Sequence, residues 1–304
     1  MARKGSTIQR DEEGAGRHRL DMKAKATVHG AVSIVNAIAT GRGATLGTEQ
    51  QVTATAEASP GRGITLESDG RSTSSRLISR TVKRVMPKKT LEKSRIAIRL
   101  ESDIPAGYGL KSSSAISSAV ALACARLLDS RIDDRRVLQA GVNASMEAGV
   151  SMTGAYDDAC ACYYGGFNVT DNRRKRLIRH ERGPRNMAAV IFIPRGQRRG
   201  NPKRLRALET VFEKAWGLAR DGDYWDAMTL NGLAASAALG TDPRIITDLL
   251  EGGAVAASVS GNGPAIAAVA RGRDLARIRK VFSHGEGRTV VTGISNKKAQ
   301  AHLL

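Results

Sequence analysis

Apolar and polar positions alternate in several short stretches of the chain. QVTATAE (51–57), ITLES (64–68) and SRIAIRLESDIP (94–105), the last through Ile96, Ile98 and Leu100, read as strands with one buried face. MKAKATVHGAVSIVNAIATG (22–41) is richer in small apolar residues and reads as a strand, a turn and further buried chain, punctuated by Gly41, Gly43 and Gly47. Helical spacing is predicted over 71–86, ended by Pro87, and from Ser113 through Ile116, Ala119, Val120, Ala123 and Leu127. A third helix is predicted over about 133–149 with Val137, Leu138, Val142 and Met146. Residues 149–170 read as a loop leading into a buried strand, with a glycine turn at Gly165 and Gly166.

The pattern changes near residue 171, where a basic run precedes MAAVIFIP (187–194), a short strand apolar on both faces. Helices are predicted at about 202–220, 223–239 and 243–251, then a hairpin over 254–270, a helix over 273–282 and a strand over 288–293. This mixture predicts an α+β chain whose second half is a sandwich of the split βαβ kind. The expected division is an extension over 1–21, polar and disordered, a first domain over 22–170 and a second over 171–304.

A length of 304 residues suits two domains, and 41% hydrophobic residues suffice for a buried core. No run approaches the roughly 20 apolar residues of a membrane span, so no membrane association is expected. Cys124, Cys160 and Cys162 are an odd set, one of them inside a helical pattern, which argues against a disulfide framework and for a cytoplasmic protein. The scattered histidines show no metal-ligand spacing. The net charge of +19 points to an anionic partner, and thirteen Lys/Arg against two Asp/Glu concentrate it in 171–206. With only 4% aromatic residues the basic runs lack stacking platforms, which disfavours a single-strand nucleic-acid binder.

Three short stretches carry candidate chemistry. In PAGYGLKSSSA (105–115), Pro105 ends a strand, and Gly107 and Gly109 let a ligand approach the main chain. Ser112, Ser113 and Ser114 then fall at the cap and first turn of a helix, where free N–H groups and the helix dipole favour an anion, and Lys111 adds a positive charge. The stretch predicts a phosphate cradle, although it is not a Walker A loop. TGAYDDA (153–159) sets Asp157 and Asp158 side by side after a glycine turn, where a carboxylate could take a proton from a hydroxyl or hold Mg²⁺. Glu147, ten residues before Asp157, could supply a second metal oxygen. SGNGPA (260–265) joins two apolar strands through Ser260, Gly261, Asn262 and Gly263, as a hairpin turn does for backbone reasons alone. A second glycine loop is also what a nucleotide held between two domains requires.

In this order the three stretches resemble the GHMP kinase superfamily of galactokinase, homoserine kinase and mevalonate kinase. Its central Pro-x-x-x-Gly-Leu-x-Ser-Ser motif is matched by Pro105, Gly109, Leu110, Ser112 and Ser113, and its C-terminal glycine-rich motif is similar to residues 260–264. VNAIATGRGATLG (35–47), GLKSSSA (109–115) and TGAYDDAC (153–160) are most similar to the archaeal-type shikimate kinases. The resemblance covers roughly residues 22–295 and implies a first domain like domain 2 of ribosomal protein S5 and a ferredoxin-like second domain. It also implies ATP with Mg²⁺ between them, and phosphorylation of the 3-hydroxyl of shikimate on the route to chorismate and the aromatic amino acids.

By the same resemblance Gly107, Gly109, Leu110, Lys111, Ser112, Ser113 and Ser114 form the phosphate loop, and Ser112 or Ser113 touches Mg²⁺. The galactokinase spacing is reproduced by Glu147, Gly154 and Asp157, which implies Asp157 as base and Glu147 as metal ligand, with Asp158 the alternative for either. Lys25 precedes Gly30 by five residues, as a lysine does in the first motif of mevalonate kinases, which implies a catalytic role in lowering the pKa of the acceptor hydroxyl, although Ala31 and Val32 replace the rest of that motif. Shikimate carries a carboxylate, whose natural partner is an arginine; Arg195, Arg198 and Arg199 are the expected candidates. Kinases of homoserine, mevalonate or another small alcohol are the alternatives within the family. A basic RNA-binding protein is the alternative outside it, though such a protein has no use for all three stretches together.

Overall fold

The computed structural model describes residues 22–68, 74–128, 132–196, 199–283 and 285–304. The extension expected over 1–21 lies outside them, as does Arg198.

A long antiparallel hairpin of β1 (Met22–Val35) and β2 (Arg42–Pro60) organises the first sheet. Alternation sets one face: Ala24, Ala26 and Val28 on β1, and Val52, Ala54 and Ala56 on β2, are fully buried. Beyond Val28 both faces are covered, and register shifts at His29/Gly30 and Ser33/Val35 bend the strand end toward the cleft described below. β3 (Gly63–Ser68) lies parallel to β4 (Ser94–Ser102), which pairs antiparallel with β2 and buries Ile96, Ile98 and Leu100.

Five helices cover this sheet or link its strands: α1 (Ser75–Val85), α2 (Lys88–Lys93), α3 (Ser112–Leu128), α4 (Asp134–Glu147) and α5 (Tyr156–Tyr164). α3 is the central one. Its alanines and serines are buried on all sides, so it packs closely on β1, β2 and α4. α5 lies where a loop was expected. Its sequence, YDDACACYY, is nine residues long with almost every side chain buried, so it offers no amphipathic stripe to read.

β5 (Phe167–Asp171) pairs with β2 and with β6 (Arg176–Glu181), a strand hidden in the sequence by its charges. The expected domain boundary at residue 171 therefore needs correction. The β5–β6 hairpin belongs to the first sheet, and the chain crosses to the second only after Glu181.

The second sheet opens with β7 (Met187–Pro194), followed by a 3-10 turn (Pro202–Leu208), α6 (Glu209–Asp221), α7 (Tyr224–Leu239) and α8 (Arg244–Glu251). The hairpin of β8 (Ala256–Val259) and β9 (Ile266–Arg271), then α9 (Leu275–Phe282) and β10 (Gly287–Gly293), complete it. The spatial order is β10-β7-β9-β8, all antiparallel, the last strand beside the first as in a ferredoxin-like sandwich. As its sequence predicts, β7 is buried on both faces. Ala189, Ile191 and Ile193 join the main core with α6 and α7, whereas Val190 and Phe192 pack with Ile246, Leu249, Ile278 and Phe282 of α8 and α9. The chain ends in β11 (Gln300–Leu303), which returns to pair with β1 in the first sheet.

Candidate active site

Between the two sheets lies a cleft of about 380 Å³, where the start of α3, the start of α5, the end of β1 and the β8–β9 connection meet. α3 presents its N-terminus to it through Ser112, Ser113 and Ser114. The first N–H to find an acceptor along the helix is that of Ala115, bonded to the Lys111 carbonyl at 3.0 Å. By helix geometry the N–H groups of the three serines have no intrahelical acceptor, so they and the dipole end form an anion site.

Gly109 brings this loop against the β8–β9 connection. Its φ is +81°, and a β-carbon there would overlap the Ser260 carbonyl, so both backbone angle and space require glycine. The Ser260 hydroxyl donates to the Gly109 carbonyl at 2.9 Å, and the N–H of Ala265 to the Tyr108 carbonyl at 3.2 Å. The second glycine loop thus lies beside the first; Gly261 and Asn262 line the cleft, while Ser260 and Gly263 stand behind it. Pro105 is buried at the end of the preceding strand segment and does not line the cleft, Leu110 closes its floor, and Gly107 forms part of its rim.

β1 contributes Ser33 and, just past its end, Asn36. Ser33 Oγ accepts the N–H of Gly261 at 2.9 Å and the ammonium of Lys111 at 2.8 Å. Asn36 Nδ2 donates to the Gly261 carbonyl at 2.7 Å, and its own N–H is taken by Asn231 Oδ1 on α7 at 2.8 Å. The segment after β1 therefore ties the two halves of the molecule together at the cleft.

Asp157 and Asp158 occupy the first turn of α5, after Ala155 in the left-handed region (φ +50°). Both line the cleft. The Asp157 carboxylate is almost fully buried: Asn172 Nδ2 donates to Oδ1 at 2.7 Å, while the other oxygen abuts Gly43. Asn172 Oδ1 also receives the Asp157 N–H at 3.0 Å and the Thr170 hydroxyl at 2.7 Å, and Thr45 Oγ1 donates to the Asp157 carbonyl at 2.8 Å. Burial, and next the adjacent Asp158 charge, push Asp157 up to about 7, against the opposing pull of Lys111 and Asn172. Asp158 is paired with Lys111, Oδ1 to Nζ, at 2.9 Å. Lys111 itself is buried and stands at φ +65°, a conformation that costs a non-glycine residue about 1–2 kcal/mol.

The other expected residues are placed as follows. Lys25 lies outside the cleft: it sits mid-strand, opposite Thr55 on β2 and His302 on β11, about 25 Å up β1 from Ser33 at the usual strand rise. Glu147, at the end of α4, is ion-paired with Arg84 of α1 and does not line the cleft, although Ser145 two residues earlier does. Among the described residues no group of three or more His, Cys, Asp or Glu forms a metal centre. Arg195 follows β7, bonded through its N–H to the Glu286 carbonyl, and is absent from the cleft lining. Arg199 lines the cleft and donates from Nε to the Gly107 carbonyl at 2.8 Å. Ser33, Asn36, Gly43 and Asn172 were not singled out from the sequence as site residues; the first three fall in or beside the 35–47 segment, and Asn172 only in the basic run.

The family described as GHMP kinases N terminal domain matches residues 76–166. Curated relatives match most of the chain. The shikimate kinase of Methanobrevibacter smithii is 34% identical over 291 residues, covering 90% of this chain and 98% of the relative. That of Methanosarcina mazei is 37% identical over 287 residues, covering 92% and 97%. Among solved structures, homoserine kinase from Cytophaga hutchinsonii aligns with a TM-score of 0.72 at 19% identity, covering 98% of this chain and 100% of that one. Mevalonate kinase from Methanococcus jannaschii aligns with a TM-score of 0.70 at 15% identity, covering 89% and 98%. At these identities the structural likeness speaks for the fold alone.

Proposed function

Because this chain belongs to the GHMP kinases and, within them, to the family of its archaeal shikimate kinase relatives, we propose that its cleft transfers the γ-phosphoryl group of ATP to the 3-hydroxyl of shikimate, the step toward chorismate. The observation that carries the reading is the meeting of an open helix N-terminus and a buried carboxylate pair in one cleft. Phosphoryl transfer asks a protein chiefly for alignment and charge neutralisation, and this cleft offers both.

The N–H groups and hydroxyls of Ser112, Ser113 and Ser114, with Gly107, Gly109, Leu110, Gly261 and Asn262, hold the triphosphate in this reading. Mg²⁺ keeps most of its ligands as water and phosphate oxygen and needs only one or two carboxylates from a protein. The hard oxygens of Ser112 or Ser113 and Asp158 fit that demand without Glu147. When bound, the ion neutralises charge on the phosphates. Asp157 serves the acceptor: a carboxylate oxygen takes the hydroxyl proton as the acceptor oxygen bonds to the γ-phosphorus and ADP departs with the electron pair of the broken bond. Arg199 at the rim supplies a guanidinium for the acceptor's carboxylate.

Incubation with ATP, Mg²⁺ and an equimolar mixture of shikimate, homoserine and mevalonate, with products read by mass spectrometry, tests the reading. Shikimate 3-phosphate as the dominant product supports it. A phosphorylated product of another alcohol instead would keep the kinase and overturn the acceptor.

A further inference from the structure

The lysine of the phosphate loop does not face the helix N-terminus that its position in the sequence suggests. Lys111 Nζ is held by Ser33 Oγ at 2.8 Å and by Asp158 Oδ1 at 2.9 Å, with its side chain almost wholly buried. Lys111 departs from ordinary backbone angles, at φ +65°, in the residue from which this side chain leaves. Ser33 Oγ in turn accepts the N–H of Gly261, so the ammonium is fixed to the glycine-rich connection of the second domain as well. Lys25, the cation that the resemblance to mevalonate kinases offers for the acceptor side, lies far along β1 from the carboxylates. The post expected of one lysine is vacant, and another lysine stands beside the acidic pair.

We propose that Lys111 serves the acceptor side of the reaction, as the counter-charge of the Asp157–Asp158 pair and its tie to the second domain through Ser33, rather than as a ligand of the nucleotide phosphates. It acts through the carboxylates and is a positioning residue. Two adjacent acidic side chains in a buried turn repel, and a cation held 2.9 Å from one of them offsets that repulsion and fixes the turn in place. The surroundings leave this task to Lys111. Among the described residues the charged groups acting on Asp157 are Asp158 and Lys111, the thiols of Cys160 and Cys162 lie on the same helix, and Arg199, the other cation lining the cleft, is bonded to the Gly107 carbonyl. β1 and β2 turn Ser33, Gly43 and Thr45 toward the acidic pair, the end of β5 turns Asn172, and all of these are neutral.

The inference rests on the kinase reading above, and its test separates the two. Lys111→Asn suits the left-handed backbone, and Ser33→Ala removes only the hydroxyl that holds the ammonium. ATP affinity is measured by calorimetry without acceptor, and kcat is measured with saturating substrates. For Lys111→Asn we expect an ATP dissociation constant within about twofold of wild type and a kcat about 100-fold lower. Ser33→Ala should lower kcat by less, with the ATP dissociation constant again near wild type. A tenfold or greater loss of ATP affinity would overturn the proposal and return Lys111 to the phosphates. So would a kcat that stays at wild type. The binding measurement needs no acceptor, so it decides on Lys111 even if the wild-type chain phosphorylates an alcohol other than shikimate, in which case kcat is measured with that alcohol.

Discussion

Gly43 lies directly against Asp157: a β-carbon at position 43 would stand 2.7 Å from the Asp157 carboxyl carbon and closer still to Oδ2. The neighbouring Ala37 leaves no retreat, its own β-carbon only 2.9 Å from that position. The first sheet thus approaches the reacting carboxylate at a residue without a side chain.

Gly43→Ala should therefore displace the Asp157 carboxylate while leaving the hairpin paired. Misplacement of a reacting group by about 1 Å costs on the order of 100-fold in rate. Steady-state kinetics should show that loss in kcat, with ATP affinity and the far-ultraviolet circular dichroism of wild type retained. A variant with wild-type kcat would remove Asp157 from the reaction.

The pH dependence has a defined sign. Asp157 is raised to about 7 by burial and by Asp158, so kcat should rise with pH through about 7 as the base ionises. Fold stability should run the other way. Between the ordinary carboxylate range and 7 the folded state holds a proton that the unfolded chain has released, so stability is lost as pH rises through that window. Urea melts at pH 5 and pH 7 should show the decline in wild type and its removal in Asp157→Asn. Asn172→Ala deletes a hydrogen bond to the ionised form and should move the kinetic limb higher.

Arg199 is the one member of the expected arginine set seen at the cleft among the described residues. Its Nε is engaged by Gly107, which leaves the terminal nitrogens of the fork for a carboxylate. Arg199→Ala should raise the acceptor KM by about tenfold or more, as losing a charge-assisted hydrogen bond of about 1.5–3 kcal/mol requires. The ATP KM should stay near wild type. An unchanged acceptor KM would exclude Arg199 as the carboxylate partner.

Lys25→Ala and Glu147→Ala test the placement of these two residues outside the cleft. Lys25 sits mid-strand away from the cleft, and Glu147 faces Arg84. Each variant should keep kcat within about twofold and cost no more than about 1 kcal/mol of stability, as for a partly exposed ion pair or surface lysine. A hundredfold loss of kcat in Glu147→Ala would restore it as a metal ligand.

Elements with one buried face are the most directly legible in the sequence. In β4, Ile96, Ile98 and Leu100 alternate with Arg95, Arg99 and Glu101, and the pattern is direct. α5 has no such contrast, because it is buried on nearly every side and begins after a left-handed Ala155 without a side-chain cap. β6 is a short, heavily charged edge strand and β11 a short edge strand whose partner β1 lies far away in sequence, so their local pattern carries little. The three glycine- and serine-rich stretches were legible because backbone geometry restricts residue types there. The direction of a long side chain was not: Lys111, Lys25 and Glu147 each occupy positions suggested by spacing, and the packing around each decides what it meets.

The most direct measurement is acceptor-dependent ADP release by the wild-type chain and by Asp157→Asn, with ATP, Mg²⁺ and shikimate at pH 8. The account predicts shikimate-dependent release in the wild type and its collapse by about 100-fold or more in the variant, which cannot take the hydroxyl proton. Equal rates in the two proteins, or release that is indifferent to shikimate, would contradict it.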